Sequence, residues 1–399
     1  MTSVAETLSR RGFLRTSGLA AGGALVAAAG GLGVRAWAQG VFGDLSAGPA
    51  FEPWRDWRRG RHQGSLALVA AAILASNPHN SQPWLFRVGE RHVELFADPS
   101  RHLGTIDPFR REMHLGLGCA LENIAVAARG LGYRPHVALR PDPTRDTLVA
   151  RVDVTDGAPE AGAHFRAIPE RHTNRAAYDR ARPLPRAALE ALDTQVTSAH
   201  TRLVLLDAGS AEGRRFAEAT VRATEQFVAD AELSRDSRRW FRHALTDVNR
   251  HRDGVTTLAA GLPETILRLA LILPVRAIGD PGQAWLAATR DRHCRTAPTF
   301  GLIAARDPAD VVQRLEVRRL WQRLHLEAVR HGVAMQPLNQ LMEIAERDRV
   351  LGRSGEAAPD LARMVGDDRF QSVFGFRCGY ATAPAPPAPR RGVRAVVRT

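Results

Sequence analysis

Residues 77–84 read Asn-Pro-His-Asn-Ser-Gln-Pro-Trp, and this stretch carries more information than any other in the 399-residue chain. Its amide and hydroxyl side chains offer both hydrogen-bond donors and acceptors. Pro78 and Pro83 fix φ near either end, which reduces the entropy lost when the loop holds a ligand. The pattern therefore favours a rigid loop that presents hydrogen bonds to a flat ring with alternating carbonyl and N–H groups. A polar turn between a helix and a strand is the alternative interpretation.

Residue periodicity on both sides of this loop predicts a mixture of helices and strands. An apolar run from Ser65 predicts a short helix that must stop before Pro78. After the loop, two strands precede a long helix that a glycine terminates. The predicted bounds are Trp84–Val88 and His92–Phe96 for the strands and Arg110–Leu131 for the helix.

The long helix has a similar stretch 200 residues later in the chain. A repeat of this kind implies two copies of one α+β unit that fold against each other within a single chain. A boundary between them is expected at residues 156–163, where Gly, Pro and Ala are frequent. Two unrelated amphipathic helices are the alternative. The aligned pairs are Ile124/Leu324, Val126/Leu326, Ala128/Ala328 and Gly132/Gly332, with Glu122 opposite Gln322.

Further elements are predicted outside this first helix and its loop. Residues 39–64 are a leader segment whose first part, 39–60, is predicted to wrap onto the domain without a stable element. Helical patterns run from Ala208 to Arg250, and Gly and Pro punctuate residues 253–282, an insertion that is a candidate lid. The other predictions are a strand at Thr299–Ala305, a helix at Pro308–His331, a turn at Met335–Gln340, a strand at Val373–Tyr380 and a basic tail at 392–399.

Arg171, Thr173 and Arg175 form an Arg-x-Thr-x-Arg pattern near the start of the second half. In an extended segment, this spacing places two guanidinium groups and a hydroxyl on one side. Guanidinium groups pair bidentately with phosphate oxygens, and the hydroxyl adds a further bond. The pattern therefore predicts a phosphate site, with a solvated pair of arginines as the alternative. The proline-rich C-terminus adds two more arginines, Arg390 and Arg391.

These motifs, together with the closing stretch Gly375–Tyr380 and its proline-rich arm, resemble the nitroreductase family, and specifically its single-chain, Acg-like, FMN-binding branch. The resemblance implies an α+β, nitroreductase-like fold in which two half-chain units, residues 65–160 and 161–391, form an intramolecular pseudo-dimer. One FMN would bind noncovalently at their junction. Such proteins use NAD(P)H or another electron donor and pass electrons through the flavin to nitroaromatic or quinone-type acceptors.

The resemblance also implies which residues bind the flavin, while no catalytic side chain is assigned because the flavin carries the chemistry. Asn80, Ser81 and Gln82 would hydrogen-bond the isoalloxazine ring. The other implied contacts are Arg171, Thr173, Arg175, Arg390 and Arg391 at the phosphate, and Gln336, Pro337 and Leu338 against the ring. Two other functions stay open: an exported protein that binds flavin without NAD(P)H turnover, and a basic exported binding protein without flavin.

The N-terminus predicts export from the cytoplasm. Ser9-Arg10-Arg11-Gly12-Phe13-Leu14-Arg15 precedes an apolar stretch, Gly18–Val34, and the small-x-small triplet Ala36-Trp37-Ala38. This order predicts a twin-arginine signal peptide over residues 1–38, with the translocase as partner and a periplasmic or other extracytoplasmic location. That route moves folded proteins, which suits a chain that takes up a cofactor first. A transmembrane helix is the alternative.

Composition argues against several other classes of protein. The 55 basic and 42 acidic residues give a net charge of +13, but the charges are scattered, so nucleic-acid binding is not predicted. Three cysteines, and histidines without ligand spacing, predict neither a disulfide framework nor a metal site. No Gly-x-Gly-x-x-Gly, Walker or Gly-x-Ser-x-Gly pattern indicates a Rossmann fold, phosphoryl transfer or a nucleophilic serine. The chain is expected to be a monomer or a homodimer.

Overall fold

Helices make up much of the chain in the computed structural model, which describes residues 32–273 and 279–398. The predicted twin-arginine motif lies outside the described residues. Residues 32–38 are helical, and the helices after them are numbered in chain order. None of the helices in the described ranges has the length and apolarity needed to cross a bilayer. The helices are α1 Glu52–Arg58, α2 Gly64–Ala72, α3 Arg111–Gly130, α4 Ala163–Ala167, α5 Arg186–Asp193, α6 Ala211–Ala229, α7 Ala231–Arg238, α8 Leu245–His251, α9 Glu264–Ile272, α10 Pro281–Ala288, α11 Val311–Arg330, α12 Gln340–Val350 and α13 Ala357–Val365.

The strands form two four-stranded antiparallel sheets and one short parallel pair. The first sheet has the order β1-β2-β4-β3, with β1 Trp84–Val88, β2 His92–Ala97, β3 Tyr133–Leu139 and β4 Leu148–Asp156. The second has the order β5-β8-β10-β9, with β5 Thr201–Asp207, β8 Thr299–Ala305, β9 Ala334–Pro337 and β10 Gln371–Gly379. The parallel pair is β6 Phe241–Arg242 and β7 Val255–Thr256.

The two sheets belong to units with the same topology. Each unit runs helix, strand, strand, long helix, strand, strand, as α2–β1–β2–α3–β3–β4 and as α5–β5–β8–α11–β9–β10. In both sheets, the fourth strand of the unit lies between the second and the third. We call residues 64–156 the N-terminal unit and residues 186–379 the C-terminal unit. The predicted α+β class and the two fused half-chain units are therefore confirmed.

The long helices α3 and α11 join the two units. Their bounds differ by 200 residues at both ends, as the repeat predicted. Gly118 allows the close crossing, because a Cβ atom there would lie 2.4 Å from the Cβ atom of Arg318. The buried polar groups at the crossing are paired, since Gln322 Nε2 donates to Asn123 Oδ1 at 2.7 Å. One apolar core consequently runs through both units and includes Leu121 and Trp321.

Each unit sends the segment after its last strand across to the other unit. After β4, Thr173 forms a parallel bridge with Met335 on β9, the edge strand of the second sheet. After β10, a C-terminal arm, residues 380–398, reaches the first sheet, where Phe86 N donates to Val396 O at 2.8 Å. The predicted basic tail is the end of this arm, and Val396 in it is fully buried. The crossings fix both segments relative to the loop before β1.

Most predicted elements are confirmed, and two interpretations are wrong. The strands β1 and β8 have the predicted bounds, α3 and β10 lie within two residues of theirs, and α11 lies within three. The predicted turn at Met335–Gln340 is wrong, because Ala334–Pro337 pairs with β10 before α12 begins. The leader was expected to lack a stable element, but it contains α1. Trp54 on this helix is 1% exposed, and burial of its indole ring stabilises the segment.

Candidate functional site

The loop before β1, residues 77–83, has a strained and buried backbone, and we call it the amide loop. His79, Asn80 and Gln82 have φ values of 48°, 50° and 53°, a region that side chains other than glycine rarely adopt. Asn80, Ser81 and Gln82 are at most 9% exposed. Such conformations persist only where the surroundings over-determine them, and they concentrate at functional sites.

Two features of the N-terminal unit hold the amide loop in place. Asn77 Oδ1 accepts from the backbone N–H of Gln82 at 2.8 Å, which closes the loop on itself. Gly116 on α3 lets the loop approach the helix, because a Cβ atom there would lie 2.9 Å from Pro83 Cγ. The sequence forms this loop because Pro78 and Pro83 restrict the backbone while the amides satisfy its polar groups.

The C-terminal arm supplies most partners of the amide side chains. Asn80 Nδ2 donates to Pro389 O at 2.9 Å, and Asn80 Oδ1 accepts from Arg390 Nη1 at 2.5 Å. Gln82 Oε1 accepts from the backbone N–H of Arg391 at 2.9 Å. The structure therefore brings together the loop and the arm, two motifs separated by about 300 residues in sequence.

The insertion between β5 and β8, residues 208–298, covers another side of the amide loop. Gln82 Nε2 donates to Arg252 O at 2.8 Å, and the backbone N–H of Gly254 donates to Asn80 O at 3.1 Å. Arg101 Nη1 joins the two segments, because it donates to Ser81 O and to Asp253 Oδ2. The start of the predicted lid, residues 253–282, therefore contacts the loop. Residues 274–278 of that segment lie outside the described part of the chain.

His79 lies within this cover, and burial controls its charge. Its Nε2 atom is 3.3 Å from Ser237 Oγ on α7. Burial lowers the pKa of His79 to about 4, while the charge of Glu112 opposes this and that of Arg175 adds to it. The imidazole is consequently neutral at physiological pH.

Arg171 and Arg390 form a buried cationic cluster beside the amide loop. Both guanidinium groups donate to Leu74 O, from Nη2 atoms at 3.1 and 3.4 Å. Burial lowers the pKa of Arg171 to about 10 and lowers that of Arg390 well below its ordinary value, and the charge of Arg171 contributes to the shift at Arg390. Within the described ranges, neither side chain pairs with a carboxylate, and the Nε atom of each has no hydrogen-bond partner.

The neighbours of this cluster are aromatic and neutral. Arg390 Cζ lies 5.1 Å from the centre of the Trp54 ring, and that ring packs at 4.6 Å against His172. His325 Nδ1 is 3.4 Å from Arg171 Nη1. Burial lowers the pKa of His172 to about 3, so this imidazole adds no positive charge. Two guanidinium groups without a buried counter-charge are costly, which makes the cluster suited to an anion.

The predicted phosphate residues contact different parts of the structure. The charge of Arg175 contributes to lowering the pKa of His79 and of His293. Thr173 lies between the two arginines in sequence and is paired with the edge strand β9. Arg391 Nη2 donates to Gln82 O at 2.6 Å, on the side of the amide loop. Arg390 and Arg391 therefore both bond to the amide loop, and Arg390 also shares Leu74 O with Arg171.

Gln336, Pro337 and Leu338 lie at the end of β9 and just after it. Gln336 Oε1 accepts from Arg377 Nε at 2.8 Å, and its Nε2 atom is 3.3 Å from His293 Nδ1. Pro337 is opposite Phe376 on β10, and Leu338 is fully buried with its N–H bonded to Gly375 O. Among the described contacts, these residues form no direct hydrogen bond with the amide loop.

A cluster of buried carboxyl groups next to this strand was not predicted from the sequence. Asp107 accepts from the backbone N–H groups of Glu112 and Met113 at 2.8 Å each, and so caps α3. Glu112 accepts from Asn339 Nδ2 at 3.0 Å, which links α3 to the C-terminal unit. Burial raises the pKa of Asp107 and of Glu343 to about 8, and the charge of Glu112 adds to both shifts.

No single pattern in the sequence would have identified this cluster, because its carboxyl groups come from α3, its preceding turn and α12. Arg377, which donates to Gln336, was also not predicted as a site residue. It lies in the closing stretch Gly375–Tyr380, which resembles the nitroreductase family, and that stretch was its signal in the sequence. In the described part of the chain, His, Cys, Asp and Glu form no group of three or more that could bind a metal ion.

Two surface cavities lie elsewhere. One of about 620 Å³ is lined by Arg180, Arg290 and Phe300 among others, and one of about 370 Å³ by Trp57, Arg58 and Phe165 among others. Neither is lined by a residue of the amide loop or of the Arg171 and Arg390 cluster. We place the candidate site at the loop and the cluster because strain, burial and unpartnered polar atoms coincide there.

The chain has relatives among characterised sequences. It is 28% identical over 339 residues to a protein of Mycobacterium tuberculosis H37Rv provisionally named NAD(P)H nitroreductase Rv3131. The aligned stretch covers 83% of this chain and 90% of that protein. An 87-residue stretch is 35% identical to the provisionally named NAD(P)H nitroreductase acg of the same organism, over 22% of this chain and 26% of that protein. No family model matches the chain.

Solved structures give weaker matches. The FMN-dependent nitroreductase NfnB from Mycobacterium smegmatis in complex with NADPH aligns with 59% of this chain and 97% of its own, at 17% identity and a TM-score of 0.37. A nitroreductase with bound FMN from Bacteroides fragilis aligns with 58% of this chain and 95% of its own, at 13% identity and a TM-score of 0.34. Scores of this size carry no argument about the fold, so the relationship depends on the sequence relatives. Over most of its length, the chain is similar to nitroreductase-like proteins.

Proposed function

We propose that this chain is an FMN-binding, nitroreductase-like oxidoreductase that passes electrons through noncovalent FMN to nitroaromatic or quinone-type acceptors. The main support is that the strained amide loop lies beside two buried guanidinium groups, those of Arg171 and Arg390, which pair with no carboxylate among the described residues. Asn80 and Arg390 meet at 2.5 Å, although 310 residues separate them in sequence. A site for a planar, hydrogen-bonding ring with an anionic end would bring together residues of these two kinds.

The guanidinium cluster would hold the phosphate of FMN. Arg171 and Arg390 are each 2% exposed, and their Nε atoms lack partners within the described ranges. A phosphate would compensate both charges and would accept from the free N–H groups. Arg175, whose charge contributes to lowering the pKa of His79, and Arg391, which donates to Gln82 O, would extend the positive field toward the ring.

The amide loop would hold the edge of the ring system. Ser81 Oγ has no partner among the described residues, although Ser81 is 1% exposed. The amide groups of Asn80 and Gln82 already have partners on the arm and the insertion, and those contacts fix their orientation. When bound, FMN supplies hydride and single-electron transfer, while the chain orients it and excludes water.

An alternative function is supported by the same contacts. The arm and residues 252–254 cover the amide loop from two sides, which would restrict the approach of a nicotinamide to the ring. Under this alternative, the chain is an exported flavin-binding protein without NAD(P)H turnover. The two functions share the cofactor and differ only in access to it.

The absorbance spectrum of the purified full chain tests the cofactor. We expect flavin bands and one FMN per chain after incubation with FMN. An Arg171→Gln variant should bind FMN on the order of 10-fold more weakly but bind riboflavin as wild type does, because Arg171 contacts Leu74 O and His325, outside the amide loop, and only a phosphate contact is lost. Arg186→Gln is the matched control, since the Arg186 side chain is 92% exposed. Colourless protein that takes up no FMN would contradict the proposal.

Stopped-flow reduction distinguishes the two functions. In the oxidoreductase, excess NADPH should bleach the flavin absorbance of the loaded protein. In the covered flavin-binding protein, NADPH should leave it oxidised while dithionite reduces it. A deletion of residues 253–282 is too disruptive for this purpose, so Gln82→Glu, which weakens the contact with Arg252, is the variant that should increase reduction by NADPH.

We further propose that the twin-arginine pathway exports the chain to a periplasmic or other extracytoplasmic location, on the strength of Arg10 and Arg11 and the apolar stretch after them. Cell fractionation of wild type and of an Arg10→Lys/Arg11→Lys variant tests this. The variant should accumulate in the cytoplasm, and equal distribution of both proteins would contradict the proposal.

A further inference from the structure

Side chains of α11 contact the residues that lead into the amide loop. Trp321 Nε1 donates to Ser76 Oγ at 3.3 Å, and the backbone N–H of Ser76 donates to Gln322 Oε1 at 3.4 Å. His325, one turn further along the helix, is 1% exposed and packs at 5.1 Å against the Trp321 ring. The C-terminal unit therefore supports the start of a loop that belongs to the N-terminal unit.

The corresponding positions of α3 do not offer the same groups. At the constant offset of 200 residues, the three positions of α11 align with Leu121, Glu122 and Ala125. Leu121 and Ala125 have no side-chain atom that forms hydrogen bonds, and Glu122 Oε2 accepts from Arg319 Nε at 2.8 Å. Of the two long helices, only α11 has an imidazole at this position.

The hydrogen bonds of His325 define its protonation state. Its Nδ1 atom is 3.4 Å from Arg171 Nη1, and its Nε2 atom is 3.2 Å from His172 O. A guanidinium group only donates and a carbonyl oxygen only accepts, so Nδ1 is the acceptor and Nε2 carries the proton. Burial and the charge of Arg171 hold the pKa of His325 well below its ordinary value, in agreement with this neutral form.

These contacts fix the orientation of Arg171 without neutralising it. Its Nη1 atom donates to His325 and its Nη2 atom donates to Leu74 O at 3.1 Å, whereas Nε has no partner among the described residues. Both acceptors are neutral, so the buried positive charge stays uncompensated. The guanidinium group is thus held on two nitrogen atoms and keeps a free N–H group and its full charge for an anion.

We propose that His325 is a positioning residue for the phosphate site, because its neutral imidazole holds Arg171 in the orientation that receives an anion. This inference rests on the proposed function, since the anion is the phosphate of FMN. As a positioning residue, His325 affects FMN affinity through Arg171 and not by contact with the flavin.

Titrations of the full chain with FMN and with riboflavin test the proposal. His325→Leu removes the acceptor for Arg171 and should weaken FMN binding about fivefold, with riboflavin affinity unchanged. His325→Asn keeps an oxygen atom near the position of Nδ1 and should retain most of the FMN affinity. His331→Leu is the matched control, because the imidazole of His331, at the end of α11, is 3.2 Å from Glu327 Oε1 and does not bond to Arg171.

A double variant separates positioning from a general loss of structure. If His325 acts through Arg171, Arg171→Gln/His325→Leu should bind FMN no more weakly than Arg171→Gln alone. Additive losses, or an equal loss of riboflavin affinity in His325→Leu, would overturn the proposal. So would unchanged FMN affinity in His325→Leu when Arg171→Gln binds FMN weakly, a result that leaves the proposed function intact. Wild type without affinity for FMN would contradict both.

Isotope-edited NMR of labelled histidine tests the hydrogen bonds without the cofactor. In the ligand-free chain, the imidazole signals that disappear in His325→Asn should be those of a neutral ring with its proton on Nε2. A proton on Nδ1, in the other neutral form or in the imidazolium ion, would overturn the proposal, because Nδ1 would then not accept from Arg171.

Discussion

The N-terminal and C-terminal units have the same order of helices and strands, but the loops that precede their first strands differ sharply. In the N-terminal unit, this loop is buried and has three non-glycine residues with positive φ. In the C-terminal unit, the corresponding residues 194–200 have none, and most of them are exposed or half-buried. The Gln195 side chain there donates to its own helix end, to Ala191 O at 3.1 Å and to Thr194 Oγ1.

This difference teaches that a duplicated fold need not duplicate its site. Each strained residue costs about 1–3 kcal/mol, so the conformation persists only where other contacts stabilise it. Both crossing segments supply such contacts to the N-terminal loop region: Arg171 follows the N-terminal unit, Arg390 follows the C-terminal unit, and both bond to Leu74 O. The comparison therefore assigns one candidate site per chain, on the N-terminal side of the pseudo-dimer.

The connections between strands show a second difference. In the N-terminal unit, β1 and β2 are joined by a short turn, whereas residues 208–298 separate β5 from β8 in the C-terminal unit. This insertion returns to the N-terminal loop through Arg252, Asp253 and Gly254. The C-terminal unit thus supplies the cover for a site whose strained loop belongs to the other unit.

The largest expected effect concerns the joint between the units. Gly118→Val would force a side chain against the Arg318 backbone and Cβ, and should lower the free energy of unfolding by about 3 kcal/mol. Chemical denaturation measures the change. Arg129→Val, on the exposed side of the same helix, is the control and should cost only about 0.5 kcal/mol through helix propensity. Equal values for the two variants would mean that α3 and α11 do not cross closely.

The next prediction tests the difference between the two loops directly. Asn80→Ala/Gln82→Ala should weaken FMN binding by about 2 kcal/mol, or roughly 30-fold, because several oriented hydrogen bonds are lost. Gln195→Ala/Thr197→Ala changes the corresponding loop of the C-terminal unit and should leave FMN affinity unchanged. Flavin fluorescence titration measures both. A similar loss in the two variants would show that the units contribute equally.

A third prediction concerns pH and compares the caps of the two long helices. Since burial raises the pKa of Asp107 and Glu343 to about 8, both bind a proton in the folded protein at pH 7 but ionise near pH 4 when unfolded. The stability that these two protonated carboxyl groups contribute is fully present below about pH 4 and is lost as the pH rises through about 8. Above about pH 7.5 the buried histidines are neutral in both states, which leaves this range free of their contribution.

Between about pH 7.5 and pH 8.5, the free energy of unfolding should therefore fall by about 1–2 kcal/mol. Asp107→Asn/Glu343→Gln should remove most of this slope. Asp310→Asn changes the cap of α11, whose carboxylate accepts from Val312 N at 2.6 Å, and should retain the slope. A slope that survives in the first variant would assign it to other groups.

The smallest expected effect concerns the crossing of the C-terminal arm. Trp54 Nε1 donates to Ala388 O at 2.7 Å, and Trp54→Phe should lower the free energy of unfolding by about 1 kcal/mol. The arm should also become more sensitive to proteolysis. Trp57→Phe is the control, because Trp57 packs against Phe165 at 5.5 Å without such a bond. Faster cleavage of the arm in both variants would argue against a specific role of the Trp54 bond.

The sequence predicted the two long helices and the strands β1, β2 and β8 well because their patterns are long and periodic. These strands alternate or run apolar over several residues, and the two long helices repeat with a constant offset. The sequence did not predict β3, β5 or the short helices α5, α12 and α13, and it predicted a turn where β9 lies. All three strands are at sheet edges, and β3 and β9 contain a proline, Pro135 or Pro337, which is tolerated at an edge because one side forms no ladder.

By itself, the sequence determined the class of this protein, the two repeated units and the residue types of the amide loop, because local periodicity and composition encode them. Only the tertiary structure decided that Asn80 meets Arg390 and that Arg171 and Arg390 share Leu74 O. Those contacts join segments separated by up to about 300 residues. Their positions follow from the crossing of two chain segments over a shared core, which no local pattern records.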